Sequence, residues 1–195
     1  MIIYLHGFNS TGNSAKGQAI KHSFASEIDV HTPTYHFNPS VAIIELTGYI
    51  KGKIEEKNNI KPVMIIGSSL GGYYAQYLAR QFDNVKVVLI NPALGPIDTL
   101  NSHLGENENF YTGKKYILHQ QHLDMLHDYN VDSPCSDNIE TLLLIDKADE
   151  VIDYRYAYQK YQSCAETILY ENGDHQFQHL AEAIPAIRNF YFDLA

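Results

Sequence analysis

The sequence is poor in basic residues. Fourteen Lys and Arg stand against 23 Asp and Glu, a formal net charge of −9. A chain this acidic is a weak partner for nucleic acid or for an anionic membrane surface. Only two cysteines occur, Cys135 and Cys164. They are too few for a disulfide framework, lack C-x-x-C spacing, and fit a reducing compartment best. No apolar run approaches the length of a membrane span. The first residues show no basic region leading to an apolar segment and a small-residue cleavage site. These absences predict a cytoplasmic protein without membrane insertion. No dinucleotide or P-loop fingerprint is present, so no cofactor is expected. His119 and His122 are spaced for one helix face, but no H-E-x-x-H glutamate or cysteine pair accompanies them, and no metal is expected there. No repeat, linker or low-complexity segment divides the chain.

What is present is an ordinary apolar share, 45% of 195 residues, enough for one domain over residues 1–195. Ile2–Leu5, Pro62–Ile66, Val85–Ile90, Glu140–Asp146 and Glu166–Tyr170 are short apolar runs that read as buried strands. Ile28–Thr34 is strand-like, limited by Pro33. Helical spacing marks Ala15–Ala25, Val41–Lys57, Leu70–Phe82, Asp153–Ser163 and Gln176–Tyr191, the last expected to kink or split at Pro185. The alternation implies an α/β fold, a mostly parallel sheet with helices on both faces. Residues 93–138 break the rhythm and read as a cap-like insertion, with a helix over Tyr116–Tyr129.

The stretch that organises the rest is Gly67-Ser68-Ser69-Leu70-Gly71. It fits G-x-S-x-G between a strand and a helix, the sharp turn that lifts a serine hydroxyl above a parallel sheet. A serine is a poor nucleophile until a base takes its proton. In this architecture the acid and the histidine follow the serine, each after a later strand. Only His175 and His179 lie late enough among ten histidines. His175, in the polar turn Asn172–His175, is the better placed base; His179 falls in the helical pattern and reads as helix surface. Asp149, at the tip of the loop after the Glu140–Asp146 strand, is the favoured acid. Asp146 is its main rival, and Asp153 reads as a helix cap. Ser68 occupies the x position and should point away. The backbone N–H groups of Phe8 and Leu70 are the expected oxyanion donors. The His6 side chain reads as packed and hydrogen-bonded rather than chemical.

MIIYLHGFNS, GSSLGGYYA, INP, ADEVIDY and GDH occur in that order along the chain. Together they resemble the small bacterial YqiA/YcfP-like esterases of the α/β-hydrolase superfamily. The resemblance covers essentially the whole chain and implies a compact hydrolase acting on carboxylic esters or thioesters. It places the nucleophile on Ser69, the acid on Asp149 and the base on His175. Such loops often read G-D-E, whereas Ala148 precedes Asp149 here, so Asp146 stays a candidate. The expectation is a serine esterase or thioesterase that takes a small-molecule ester or acyl thioester and needs no cofactor or metal. Lys114 and Lys115 are candidates to meet a phosphorylated leaving group. An amidase or peptidase on the same triad, or a non-catalytic binding protein of this fold, are the alternatives.

Overall fold

The computed structural model describes residues 1–56 and 62–193. In chain order the elements are β1 (Ile2–Leu5), α1 (Ala15–Phe24), β2 (Val30–His31), α2 (Pro39–Glu56), β3 (Val63–Ser68), α3 (Leu70–Ala79) and β4 (Val85–Ile90). Then come α4 (Pro96–Asn101), β5 (Gly105–Glu108), β6 (Lys115–Leu118), α5 (Gln120–Asp124), β7 (Thr141–Asp146), α6 (Tyr154–Tyr161), β8 (Ala165–Tyr170) and α7 (Leu180–Phe192). Six strands form one sheet in the order β2-β1-β3-β4-β7-β8. Every pair in it is parallel. This is the α/β architecture expected from the strand–helix alternation, and it agrees with the α/β-hydrolase fold that the resemblance implies.

The central strands read as unbroken apolar runs because both of their faces are covered. Ile3, Leu5, Ile65, Val87, Leu89, Leu143 and Ile145 face a core shared with α2, α3 and α6. Ile2, Tyr4, Met64, Ile66, Val88, Ile90, Leu142 and Leu144 face the opposite core, under α1 and α7. The register sets Leu5 beside Gly67, Gly67 beside Leu89, and Asp146 beside Tyr170. Parallel pairing therefore brings the loops after β1, β3, β4, β7 and β8 to one rim, where open α/β sheets hold their ligands.

Three expectations change, and one falls outside the described residues. The strand expected over Ile28–Thr34 is reduced to Val30–His31. Lys57, the expected end of the second helix, lies outside the described residues. The helix expected over Tyr116–Tyr129 is instead the second strand of an antiparallel hairpin, β5–β6, followed by α5 and a 3₁₀ turn at Met125–Tyr129. The closing helix runs without a split from Leu180 to Phe192 with Pro185 inside it.

The two cysteines also depart from expectation. Cys135 and Cys164 are joined, with Cα atoms 5.4 Å apart and a sequence separation of 29. The bridge ties the segment before β7 to the end of α6. One staple in place of two separate thiols removes the composition argument for a reducing compartment. Among the described residues no helix is long and apolar enough to cross a membrane.

Candidate active site

Ser69 stands at the junction of β3 and α3 with φ 54° and ψ −123°. That conformation is strained for a residue with a side chain. It is held by backbone bonds on both sides. Ser69 N–H donates to the Ile90 carbonyl at 3.1 Å, and its own carbonyl accepts from Gly72 and Ala93. The flanking glycines are steric requirements. A Cβ on Gly67 would lie 2.3 Å from the Gly71 carbonyl oxygen, and one on Gly71 would lie 2.2 Å from that of Leu5.

Two late loops reach this serine. Ser69 Oγ lies 3.0 Å from His175 Nε2. His175 Nδ1 lies 2.9 Å from Asp149 Oδ2 and 3.1 Å from Oδ1. A carboxylate can only accept, so Nδ1 carries the proton and Nε2 presents its lone pair to the hydroxyl. The Asp149 side chain is 2% exposed. Its Oδ1 also accepts from the Val151 and Ile152 amides at 2.9 and 2.8 Å. These bonds fix the carboxylate before any substrate arrives. The His175 amide donates to Glu150 Oε2 at 3.0 Å. The three side chains singled out in the sequence thus form one hydrogen-bonded chain.

The loop after β1 supplies the other side of the site. His6 is 4% exposed and stacks on Tyr35 with ring centroids 4.1 Å apart. Its Nδ1 lies 2.8 Å from the Gly7 carbonyl, to which it donates. In a trans peptide the Gly7 carbonyl and the Phe8 N–H point in opposite directions. The His6 bond therefore turns the Phe8 N–H away from the ring. Burial pulls the His6 pKa down from 6.5 to about 4, against the pull of the Gly7 carbonyl in the other direction. The ring is neutral near pH 7, as its packed and hydrogen-bonded reading requires. Leu70 opens α3, so its N–H has no acceptor within the helix, and the helix N-terminus favours negative charge there. Among the described residues neither the Phe8 nor the Leu70 N–H donates to a protein group.

Gly7, Phe8 and Leu70 line a cavity of about 270 Å³. Rings of Tyr35, Phe37, Tyr74 and Tyr116 line it as well, with Phe37 and Tyr116 stacked at 4.0 Å. The β5–β6 hairpin is docked on the β1 loop. Asn109 Nδ2 donates to the Ser10 carbonyl at 2.7 Å and Phe110 N–H to the Asn9 carbonyl at 3.0 Å. Lys114 lines the cavity from this hairpin, while Lys115 does not. His119 and His122 pair with each other's backbone in a capping box at the start of α5. Among the described residues no group of three or more His, Cys, Asp or Glu could hold a metal ion.

Three contributions were not anticipated. Lys16 Nζ donates to Ser68 Oγ at 2.6 Å, behind the turn. Burial brings this ammonium down to about 8, opposed by Asp146, Asp149 and Asp174. No sequence signal marks Lys16. Asn91 donates to the Asp174 carbonyl at 2.9 Å and accepts from the Asp146 amide, joining the loops after β4 and β8 to the end of β7. Its place directly after a buried strand, before Pro92, was the available signal. Finally, the two less favoured candidates, Asp146 and His179, meet each other. His179 is not a helix-surface residue; it precedes α7, and its Nδ1 lies 2.6 Å from Asp146 Oδ1. Asp153 caps α6, accepting from the Arg155 amide at 3.0 Å.

Comparison with known proteins agrees with the fold. The mouse alpha/beta hydrolase domain-containing protein 10 superposes with a TM-score of 0.74 at 18% identity, covering 100% of this chain and 90% of that one. The Pyrococcus furiosus esterase PF2001 superposes at 0.70 with 15% identity, covering 99% of this chain and 81% of the other. At such identities the likeness is one of fold. A "UPF0227 protein" of Vibrio parahaemolyticus is 23% identical over 197 residues, covering 97% of this chain and 98% of the relative. The model of the uncharacterised protein family UPF0227 matches residues 1–192, and the chain belongs to that family.

Proposed function

We propose that this protein is a serine hydrolase that cleaves carboxylic esters or acyl thioesters through an acyl-enzyme on Ser69. The observation that carries the reading is the hydrogen-bonded chain from Ser69 Oγ through His175 to Asp149, with steps of 3.0 and 2.9 Å. His175 Nε2 takes the hydroxyl proton as Oγ bonds to the acyl carbon. Asp149 holds the ring in the required tautomer and stabilises the imidazolium that forms. The carbonyl oxygen becomes an oxyanion, met by the Phe8 and Leu70 N–H groups. Collapse breaks the bond to the alcohol or thiol, which leaves with the proton from Nε2. Water then attacks the acyl-enzyme by the same route and frees Ser69.

The cavity beside the two donors is small for a ligand cleft, at about 270 Å³, against a usual ~300–1,000 Å³. Its aromatic lining supports a compact or aryl acyl group over a long fatty chain. The Pyrococcus furiosus neighbour is an esterase, which agrees with this chemistry without specifying a substrate.

The test is a fluorophosphonate probe followed by intact mass. Wild type is expected to gain one adduct and Ser69→Ala none. A panel of acetyl, butyryl, benzoyl and lauroyl esters, with matching thioesters and amides, should show turnover falling sharply at the lauroyl chain. A wild type that stays unmodified at high probe concentration and turns over no member of the panel would defeat the proposal in favour of a binding protein.

A further inference from the structure

Below the Ser69–His175–Asp149 chain lies a second carboxylate–imidazole pair that the chemistry above does not use. Asp146 is 0% exposed. A buried carboxylate is costly unless its oxygens are satisfied. Here Oδ1 faces His179 Nδ1 at 2.6 Å, and Oδ2 accepts from the Gln178 amide at 2.7 Å. Tyr170, the last residue of β8, stacks on the other face of the arrangement, its ring 4.8 Å from that of His179 and nearly parallel to it. Both groups bonded to the Asp146 carboxylate belong to the segment that carries His175.

That segment cannot be at rest by its own local preferences. Asn172, Gly173 and Phe177 all have positive φ, at 63°, 76° and 62°. For a bulky residue such as Phe177 this is a strained conformation, which persists only when surroundings impose it. The loop also closes directly over the Asp146 carboxylate: a Cβ on Gly173 would lie 2.0 Å from Oδ2. Asp146 thus sits inside the turn, with Gly173 pressed against it and residues 178 and 179 bonded to it. His175 hangs between these two attachments.

We propose that Asp146 and His179 are positioning residues: they clamp the β8–α7 loop so that His175 Nε2 stays within hydrogen-bond reach of Ser69. The inference rests on the reading of Ser69, His175 and Asp149 as the catalytic groups. The last residue of β7 supplies the carboxylate of one pair and the loop after it that of the other, while the loop after β8 supplies both imidazoles. Asp149 orients the base directly. Asp146 holds the backbone from which the base hangs. The Asn91 bond to the Asp174 carbonyl, 2.9 Å long, ties the loop from the β4 side. Misplacing a catalytic group by about an ångström can cost on the order of 100-fold in rate.

The test uses Asp146→Asn, His179→Ala and His179→Asn in the full chain, the last because its side-chain amide can donate where Nδ1 did. Three readouts are taken: ester kinetics, thermal melting, and the imidazole N–H signals of ¹⁵N-histidine protein, with His175 assigned by its loss in His175→Ala. His179→Ala should lower kcat about 10- to 100-fold with KM within about twofold. It should also broaden or erase the His175 Nδ1–H signal in protein that remains folded. His179→Asn should restore most of both. Asp146→Asn should follow His179→Ala wherever it folds. His179→Ala with wild-type kcat and an unchanged His175 signal would overturn the proposal. So would a loss of activity that only tracks the unfolded fraction. The NMR arm needs no turnover. If wild type hydrolyses nothing and takes no fluorophosphonate, the functional reading fails, while the His175 signal still reports whether the pair holds the ring.

Discussion

Acid should weaken this fold through His6, by an amount that can be worked out. The ring is buried against Tyr35, donates Nδ1–H to the Gly7 carbonyl, and has no partner for Nε2 among the described residues. Protonation would add an N–H at Nε2 with no acceptor in a buried place. Burial accordingly lowers its pKa from 6.5 to about 4. The unfolded chain then binds the extra proton over the window between those values, and the folded chain does not. Stability is full above 6.5, falls as the pH drops through the window, and levels off below about 4. The full shift corresponds to about 3 kcal/mol, of which about 2 kcal/mol is lost by about pH 5. Urea unfolding of wild type and His6→Asn across this range gives a difference curve that removes the shared carboxylate titrations. The curve should bend in favour of the variant by about 2 kcal/mol between pH 7 and about pH 5. A flat difference curve would refute the reasoning.

Two further outcomes follow from other parts of the molecule. Asp149→Asn should keep the fold but leave His175 in the wrong tautomer, lowering kcat by roughly three to four orders of magnitude, read from steady-state ester kinetics. Reducing the Cys135–Cys164 bridge, which closes 29 residues of sequence, should cost about 3–4 kcal/mol in the loop-entropy account. Melting with and without reductant, alongside a thiol count on the denatured protein, checks it, and two titratable thiols without reductant would contradict it.

Much of the site was legible because its parts obey strong local rules. The serine turn needs glycines at 67 and 71, and those glycines are visible. The order of nucleophile, acid and base reduced ten histidines to two and a run of acidic residues to a few. It could not go further, because the choice between Asp146 and Asp149, and between His175 and His179, depends on which partners meet across β7 and β8. The fold uses all four, in two pairs, and neither spacing nor composition announces a second pair. The central strands were legible for a simple reason: burial on both faces leaves an unbroken apolar run. The hairpin was not. Gly105–Glu108 has no strand propensity, and Lys115–Leu118 is too short to separate from a helix. Their pairing is fixed by docking on Asn9 and Ser10, about a hundred residues away in the chain. The disulfide is hidden similarly, since only the packing of α6 against the segment before β7 brings its two sulfurs together.

The central claim is that Ser69 carries the acyl group during turnover. Rapid acid quench of wild-type protein with a slowly deacylating aryl ester, followed by intact mass and peptide mapping, tests it most directly. The account predicts an added acyl mass on the peptide holding Ser69, absent from Ser69→Ala together with the activity. Turnover at wild-type rate by Ser69→Ala would contradict it.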